Sequence, residues 1–410
     1  MNKKIQTLIK SFMVSSLSLS FLAPISAFAE GEESQDSNST TLQVLVPGYD
    51  TGYLAEPLDN AVQQYQEENP DITIEIVSAG WDELNSKIVQ LYQAGQAPDI
   101  MLVGSRSIRQ FAELGVLEDL SPYMTDEFIE TRIENVMDTA KIDDIQYGVP
   151  LALSSRALFY RSDIVETPPT NWQELKETAE RIKNEEDMYG FAIPTDSRNG
   201  VDEMLTFFYQ NEGRMVDDEG NYTLNTPENV QTLEYLVELA DFIPEPVGTK
   251  RDDQVQMFGN GDLAMFISGG WELEELETNA EKAPYAAALV PEGKAKAVTL
   301  VTDSYVMSSI SEEKEAAWKF IEFLGTEDIQ RTVSEAYGWL PVTKAELEDE
   351  RFTTEAMKPM VEILEYGVPE PKVPNWDKFS QSFSIAVQKA LTGEASAQEA
   401  LDTAQEEVTQ

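Results

Sequence analysis

The side chains best suited to grip a small molecule are tryptophans, and the six of them fall in two kinds of setting. Trp172 and Trp318 lie inside helical patterns beside apolar partners, where packing is the expected role. Trp81, Trp271, Trp339 and Trp376 instead fall at element ends or turns, in SAGWDEL, SGGWELE, AYGWLPV and VPNWDKF. A loop tryptophan can equally belong to a core. Four of them from separated parts of one chain favour a shared cleft with aromatic walls. Indole faces stack on the C–H faces of sugars, while carboxylates and amides take the hydroxyls. The stretch GNGDLAMFISGGWELEEL, residues 259–276, is the sharpest case. A buried-strand composition runs into Gly269 and Gly270, which let the backbone turn tightly and set Trp271 at the strand's end.

Other chemistries are narrowed by what is missing. The chain has no histidine and no cysteine, which removes a Ser-His-Asp triad, imidazole acid–base work, His-ligated zinc, thiolate metal sites and disulfides. No G-x-S-x-G elbow or G-x-x-x-x-G-K loop is present. VDDEGNY, residues 216–222, lacks the alternating acids and distal glutamate of a calcium loop and reads as a hairpin turn. Hence no metal, cofactor or catalytic group is expected. With 75 acidic residues, a glycosidase-like carboxylate pair stays open as an alternative.

The elements that must position these residues alternate early in the chain. LQVLVPG (42–48), ITIEIV (72–77) and PDIMLVG (98–104) read as strands, separated by helices with Leu58, Val62 and Tyr65, then Leu84, Ile88 and Leu91, on one face. A further helix begins with IRQFAELGVL (108–117). That order predicts a parallel sheet with helices on both sides. YGVPLALSSRALFYRSDI (147–164) is strand-like with a polar interruption at Ser154-Ser155-Arg156. Asn171 caps a helix whose buried stripe is Leu175, Ala179 and Ile182, and another helix spans about 226–241. KAVTLVTDSYVMSS reads as two strand pieces broken at Thr302-Asp303-Ser304. EEKEAAWKFIEFLGT is an amphipathic helix, and Ser396 with Glu399 forms a capping box opening the last helix. The length suggests two domains, and the lack of a linker between halves suggests that the chain crosses between them more than once.

The first 29 residues carry Lys3, Lys4 and Lys10, an apolar run from Phe12 to Ile25, and Ala27-Phe28-Ala29. This reads as a cleaved export signal; an uncleaved membrane anchor is the alternative, but the run is short and serine-rich. Residues 30–41 read as a flexible leader. The formal charge of −46 becomes −49 once the signal's three lysines are gone. Such a surface repels nucleic acid and anionic lipid, and suits a salty or alkaline medium.

Taken in order, AGQAPDIMLVGSRSIRQFAELGVLEDLSPY, YGVPLALSSRALFYRSDI, NWQELKETAERI, FGNGDLAMFISGGW, AAWKFIEFLGTEDIQ, GWLPV and GEASAQEALDTAQEEV span nearly all of the chain beyond the signal. This series resembles the carbohydrate-binding, maltodextrin-type extracellular solute-binding proteins of bacterial ABC importers. The resemblance implies an α/β periplasmic-binding-protein fold with two lobes, each a sheet flanked by helices, joined by hinge crossovers. Lobe 1 would hold 42–150 and 297–349, and lobe 2 would hold 151–296 and 350–410. A sugar would sit between the lobes, with a membrane ABC permease as partner, no nucleic acid, and a monomeric state. Trp271 beside Gly270 resembles the family's stacking tryptophan. Ser105 and Arg106 follow the third strand, Tyr49 and Asp50 the first, and Ser154 and Arg156 follow YGVP, where relatives present polar groups. Glu212 and Arg214 lie in YQNEGRMV, and Asp303 stands where many relatives have a small residue. Arg161 departs from the family's usual asparagine, and no cysteine is available for a lipid anchor, so the protein is expected in a periplasm or outside the cell, held otherwise. Arg106, Arg156 and Arg214 leave an anionic sugar phosphate or glycerol phosphate as a second ligand class, and aromatic walls leave a quaternary ammonium solute as a third.

Overall fold

Successive side chains of the first strand point to opposite faces of the sheet, and from Val44 to Pro47 both faces are buried. In a computed structural model of the chain, residues 39–410 are described apart from 52–54, 82, 198–199 and 218. The expected signal and leader residues up to 38 lie outside the described residues. β1 (Thr40–Pro47) runs parallel to β2 (Ile72–Ala79) on one side and to β3 (Ile100–Gly104) on the other. Leu42, Val44 and Val46 point to one face and pack with Leu58, Tyr65, Trp318 and Phe320. Leu45, Met101 and Val103 point to the other and pack with Leu84, Ile88 and Phe111. The period of two thus buries both faces under helices Ala55–Glu68 and Lys314–Leu324 on one side, and Leu84–Gln93 and Ser105–Glu113 on the other. The helix after β3 starts at Ser105, one turn earlier than its apolar spacing suggests, because Gly104 in extended conformation serves as its N-cap and needs no apolar side chain.

A small hairpin, β4 (Lys141–Ile142) and β5 (Ile145–Gln146), precedes β6 (Gly148–Ser154) and β7 (Ala157–Arg161). The polar interruption at 154–156 separates those two strands. The change of core comes just before it: Val149 and Leu151 pack with the first sheet while Leu153, Leu158 and Phe159 pack in a second, larger cluster. There β7 lies between β8 (Met265–Ser268) and β9 (Tyr285–Ala288), antiparallel to both. The helix Val201–Gln210 is buried on every side within this cluster, and Trp376–Leu391 contributes Phe379 and Phe383 to it.

β10 (Val298–Met307) is one strand rather than two pieces. Its first residues pair in parallel with β11 (Gly367–Pro369), and Asp303 to Met307 pair antiparallel with β3. The polar triplet Thr302-Asp303-Ser304 is continuous strand with a bulge between Asp303 and Ser304 in its pairing with β6. Two of the strand's threonines find partners: the Thr302 hydroxyl lies 2.6 Å from that of Thr139, and that of Thr299 lies 3.1 Å from that of Thr206. β6 and β10 therefore cross together from one core to the other, and Ala297, Val298 and Leu300 belong to the second. Among the described residues no helix is long and apolar enough to cross a membrane.

Candidate functional site

The three parallel strands of the first sheet all end on the same side, and each runs on into polar or aromatic residues. Such strand ends are where open α/β sheets offer a binding crevice. Trp81 comes after β2 and is 40% exposed, an unusual state for an indole. Arg106 comes after β3. Together with Asn85, Gly104 and Ser107 they form one wall of a cavity of about 290 Å³. The opposite wall comes from the second core's elements: Ser197, and Trp376, Asp377, Ser380 and Gln381 at the start of helix Trp376–Leu391. Asn375 caps that helix by accepting from the Lys378 N–H, which holds Trp376 where its ring, 6% exposed and packed on the second core, borders the cavity. The Arg106 guanidinium sits 5.8 Å from the Trp376 ring centre, a cation–π contact across the cavity.

Beneath the cavity lies a cluster of charges. Arg106 Nη1 donates to Glu370 Oε1 at 3.1 Å, and the Ser105 hydroxyl donates to Glu370 Oε2 at 2.5 Å. Glu370 directly succeeds β11 and its side chain is fully buried. Burial alone would lower the Arg106 pKa, but Glu370, Asp202 and Asp303 outweigh it and hold the guanidinium charged. Asp202 and Glu203 open the buried helix Val201–Gln210. Arg156 Nε donates to Glu203 Oε1 at 2.6 Å and its Nη2 to Asp202 Oδ2 at 3.4 Å. Arg251 Nη2 donates to both oxygens of Glu203, at 2.8 and 3.0 Å. Burial would raise the Glu203 pKa, yet the two guanidiniums prevail and lower it. Asp202 has the weaker share of Arg156. Burial, then the Glu370 charge, push its pKa up to about 7.

Trp271 stands at the far end of this cluster. Arg156 and Arg251 approach its ring centre to 4.9 and 4.8 Å, and its indole N–H donates to Glu272 Oε1 at 2.8 Å. Ser268 donates to the same oxygen at 2.8 Å. The ring folds back over Gly269, where a Cβ would meet it at 2.1 Å, so this glycine is required by close approach.

The structure brings Trp81, Arg106 and Trp376 together on one cavity, which Trp271 and Trp339 do not line. Trp339 packs against the first core. Its neighbour Gly338 abuts Gly270, where a Cβ would lie 3.1 Å from the Gly338 carbonyl. Arg156, expected to face a ligand, is 1% exposed and engaged by Asp202 and Glu203 instead. Ser105 is buried on Glu370, whereas Ser154 is half-buried and its hydroxyl donates to the Val301 carbonyl at 3.4 Å. Tyr49 donates to Asp59 at 2.5 Å, a bond that with burial pushes its pKa up to about 12, and Asp50 is exposed. Glu212 is an exposed turn residue with φ of 66°. Arg214 lies 5.4 Å from the Tyr209 ring, whose hydroxyl donates to Pro369 beside Glu370. Asp303 is half-buried near Arg106 and Asp202. VDDEGNY is a hairpin with Val216 bridged to Tyr222, its Asp218 lying outside the described residues. Among the described residues no acidic cluster could hold a metal.

Sequence reasoning missed Glu370, Asp202, Glu203 and Arg251. Two adjacent acids opening an apolar helix read locally as dipole partners, and Glu370 between Pro369 and Pro371 carries no periodic signal. Asp377 could have been found, since it comes directly after Trp376.

The maltodextrin-binding protein MdxE of Bacillus subtilis (strain 168) is 24% identical over 401 residues, covering 93% of each protein. A Thermotoga lettingae ABC transporter solute-binding protein bound to α-D-tagatose superposes with a TM-score of 0.77 at 25% identity, over 90% of this chain and 99% of that one. A maltose-bound MalE3 of T. maritima superposes with a TM-score of 0.75 at 26% identity, over 90% and 99%. The fold is thus the two-lobed one of these binding proteins, with its lobes joined through β6 and β10. Residues 60–359 match the family described as bacterial extracellular solute-binding protein, and this chain is a member of it.

Proposed function

We propose that the protein is the carbohydrate receptor of an ABC importer, capturing a sugar between its lobes and delivering it to a membrane permease. The cavity walled by Trp81, Arg106 and Trp376 carries this reading. Its two indoles come from different lobes, so a ring held against them draws the lobes together, and closure supplies the state a permease distinguishes. Its volume lies at the lower end of the ~300–1,000 Å³ of small-molecule pockets, a fit for one or two sugar rings. The maltose-, maltodextrin- and tagatose-binding relatives support the same ligand class. No catalytic step is assigned. The protein acts as a monomer in the periplasm or outside the cell, without a lipid anchor.

Calorimetry with maltose, maltotriose and D-tagatose tests the proposal. Trp81 is exposed, so Trp81→Ala leaves the fold intact and weakens the best-bound sugar by about tenfold, the loss of one stacking face. Absence of binding by the unaltered protein to every sugar in the panel overturns the reading.

A further inference from the structure

Along β10 the half-buried residues at the crossing are Val301 and Asp303, with Thr302 and Ser304 buried. Residues two apart share a face of a strand, so 301 and 303 look out together. Asp303 pairs with Gly104, which lines the cavity; burial raises its pKa, and the nearby Arg106 charge opposes that and favours the carboxylate.

Neither group is saturated. Among the described residues the Asp303 carboxylate accepts no side-chain or backbone hydrogen bond, and it makes no ion pair. Arg106 uses only Nη1, on Glu370, out of five donors, and its side chain keeps 26% exposure. An acceptor without a donor therefore stands near a donor with hydrogens to give. A hydroxyl both donates and accepts, so a pair of adjacent hydroxyls satisfies the two groups at once. A phosphate would suit Arg106 but meet Asp303 as a like charge, and a simple cation would do the reverse. The wider cluster leans the same way against anions: Asp202, Glu203, Asp303 and Glu370 face Arg106, Arg156 and Arg251.

We infer that Asp303 and Arg106 form a donor–acceptor fork for adjacent hydroxyls of an uncharged sugar, and that Asp303 is the residue that rejects anionic sugars. The inference rests on the receptor reading above.

The experiment is calorimetry on the mature protein with maltose, maltotriose and D-tagatose as neutral probes and glucose 6-phosphate as the anionic one. The unaltered protein binds a neutral probe and gives no measurable heat with glucose 6-phosphate. Asp303→Asn keeps the shape and removes the charge. It weakens the neutral probe by about tenfold and narrows the neutral-to-phosphate preference by at least as much. Asp303→Ser carries the same expectation if the first variant does not fold, with folding checked by thermal melting. Neutral binding within twofold of the original in the folded variant overturns the fork alone. Failure of the unaltered protein to bind any neutral probe overturns the receptor reading and the fork together. Tight binding of glucose 6-phosphate by the unaltered protein overturns the fork and leaves the receptor standing.

Discussion

Indole and guanidinium meet twice in this protein, with opposite outcomes. At the cavity, Arg106 lies 5.8 Å from the Trp376 ring with one bond to Glu370, and its exposed donors and the exposed Trp81 leave room for a visitor. At the other end of the cluster, Arg156 and Arg251 press on Trp271 while Glu203 holds both and Glu272 takes the indole N–H. The same residue types thus leave a guanidinium with a single carboxylate partner in one place and tie two guanidiniums to a shared carboxylate in the other. Residue type says which contacts are available; whether they remain available depends on what already occupies them.

Glu203→Gln should separate the two most sharply. It removes the fully buried carboxylate that both Arg156 and Arg251 engage, and denaturant unfolding should show a loss of about 3–5 kcal/mol. Trp81→Ala, at the open end, should leave the same curve within about 0.5 kcal/mol. A small effect of Glu203→Gln would mean that the inner joint is not closed at all.

Titration is the next largest lever. Asp202 has a folded pKa of about 7, above its unfolded value, so the folded state binds more protons in between. Stability should therefore fall as pH rises from about 4 to about 7, by at most about 4 kcal/mol, and level off beyond. Asp202→Asn should flatten that slope. Melting curves at pH 5, 6, 7 and 8 measure it, and a slope unchanged in the variant would assign it to other groups.

Gly269→Ala probes the inner joint sterically. Its φ of −107° suits any residue, so the cost comes only from the Cβ driven into the Trp271 ring. A loss of about 1–3 kcal/mol with a changed tryptophan emission is expected. Unaltered emission would show that the ring already lies elsewhere.

The elements themselves are readable because their causes are local. Asn171, accepting from the Glu174 N–H, and Ser396 with Glu399 cap the helices their residue types announce. β1 is buried on both faces as its apolar run Val44-Leu45-Val46 announces, and the polar break at 154–156 is where β6 ends. β10 misleads because Thr302, Asp303 and Ser304 look like a loop to any local rule; their backbone is paired by β3 and β6, and the Thr302 hydroxyl finds Thr139, 163 positions away. Trp271 stands out for its glycines, and Gly269 gives its ring room to lie back over the backbone, where it stays half-buried.

Composition alone excluded imidazole and thiol chemistry, and the order of short landmarks was enough to place the chain in a two-lobed binding family, since both are properties of residues near one another in the chain. Choosing among four turn tryptophans, and between arginines engaged and arginines free, was left to folding. Arg106 and Glu370 lie 264 positions apart, and Trp81 meets Trp376 across one cavity only after β6 and β10 have carried the chain from one core to the other. Electrostatic and stacking contacts act over a few ångströms of space, whatever the distance along the chain, so no window of sequence contains both partners.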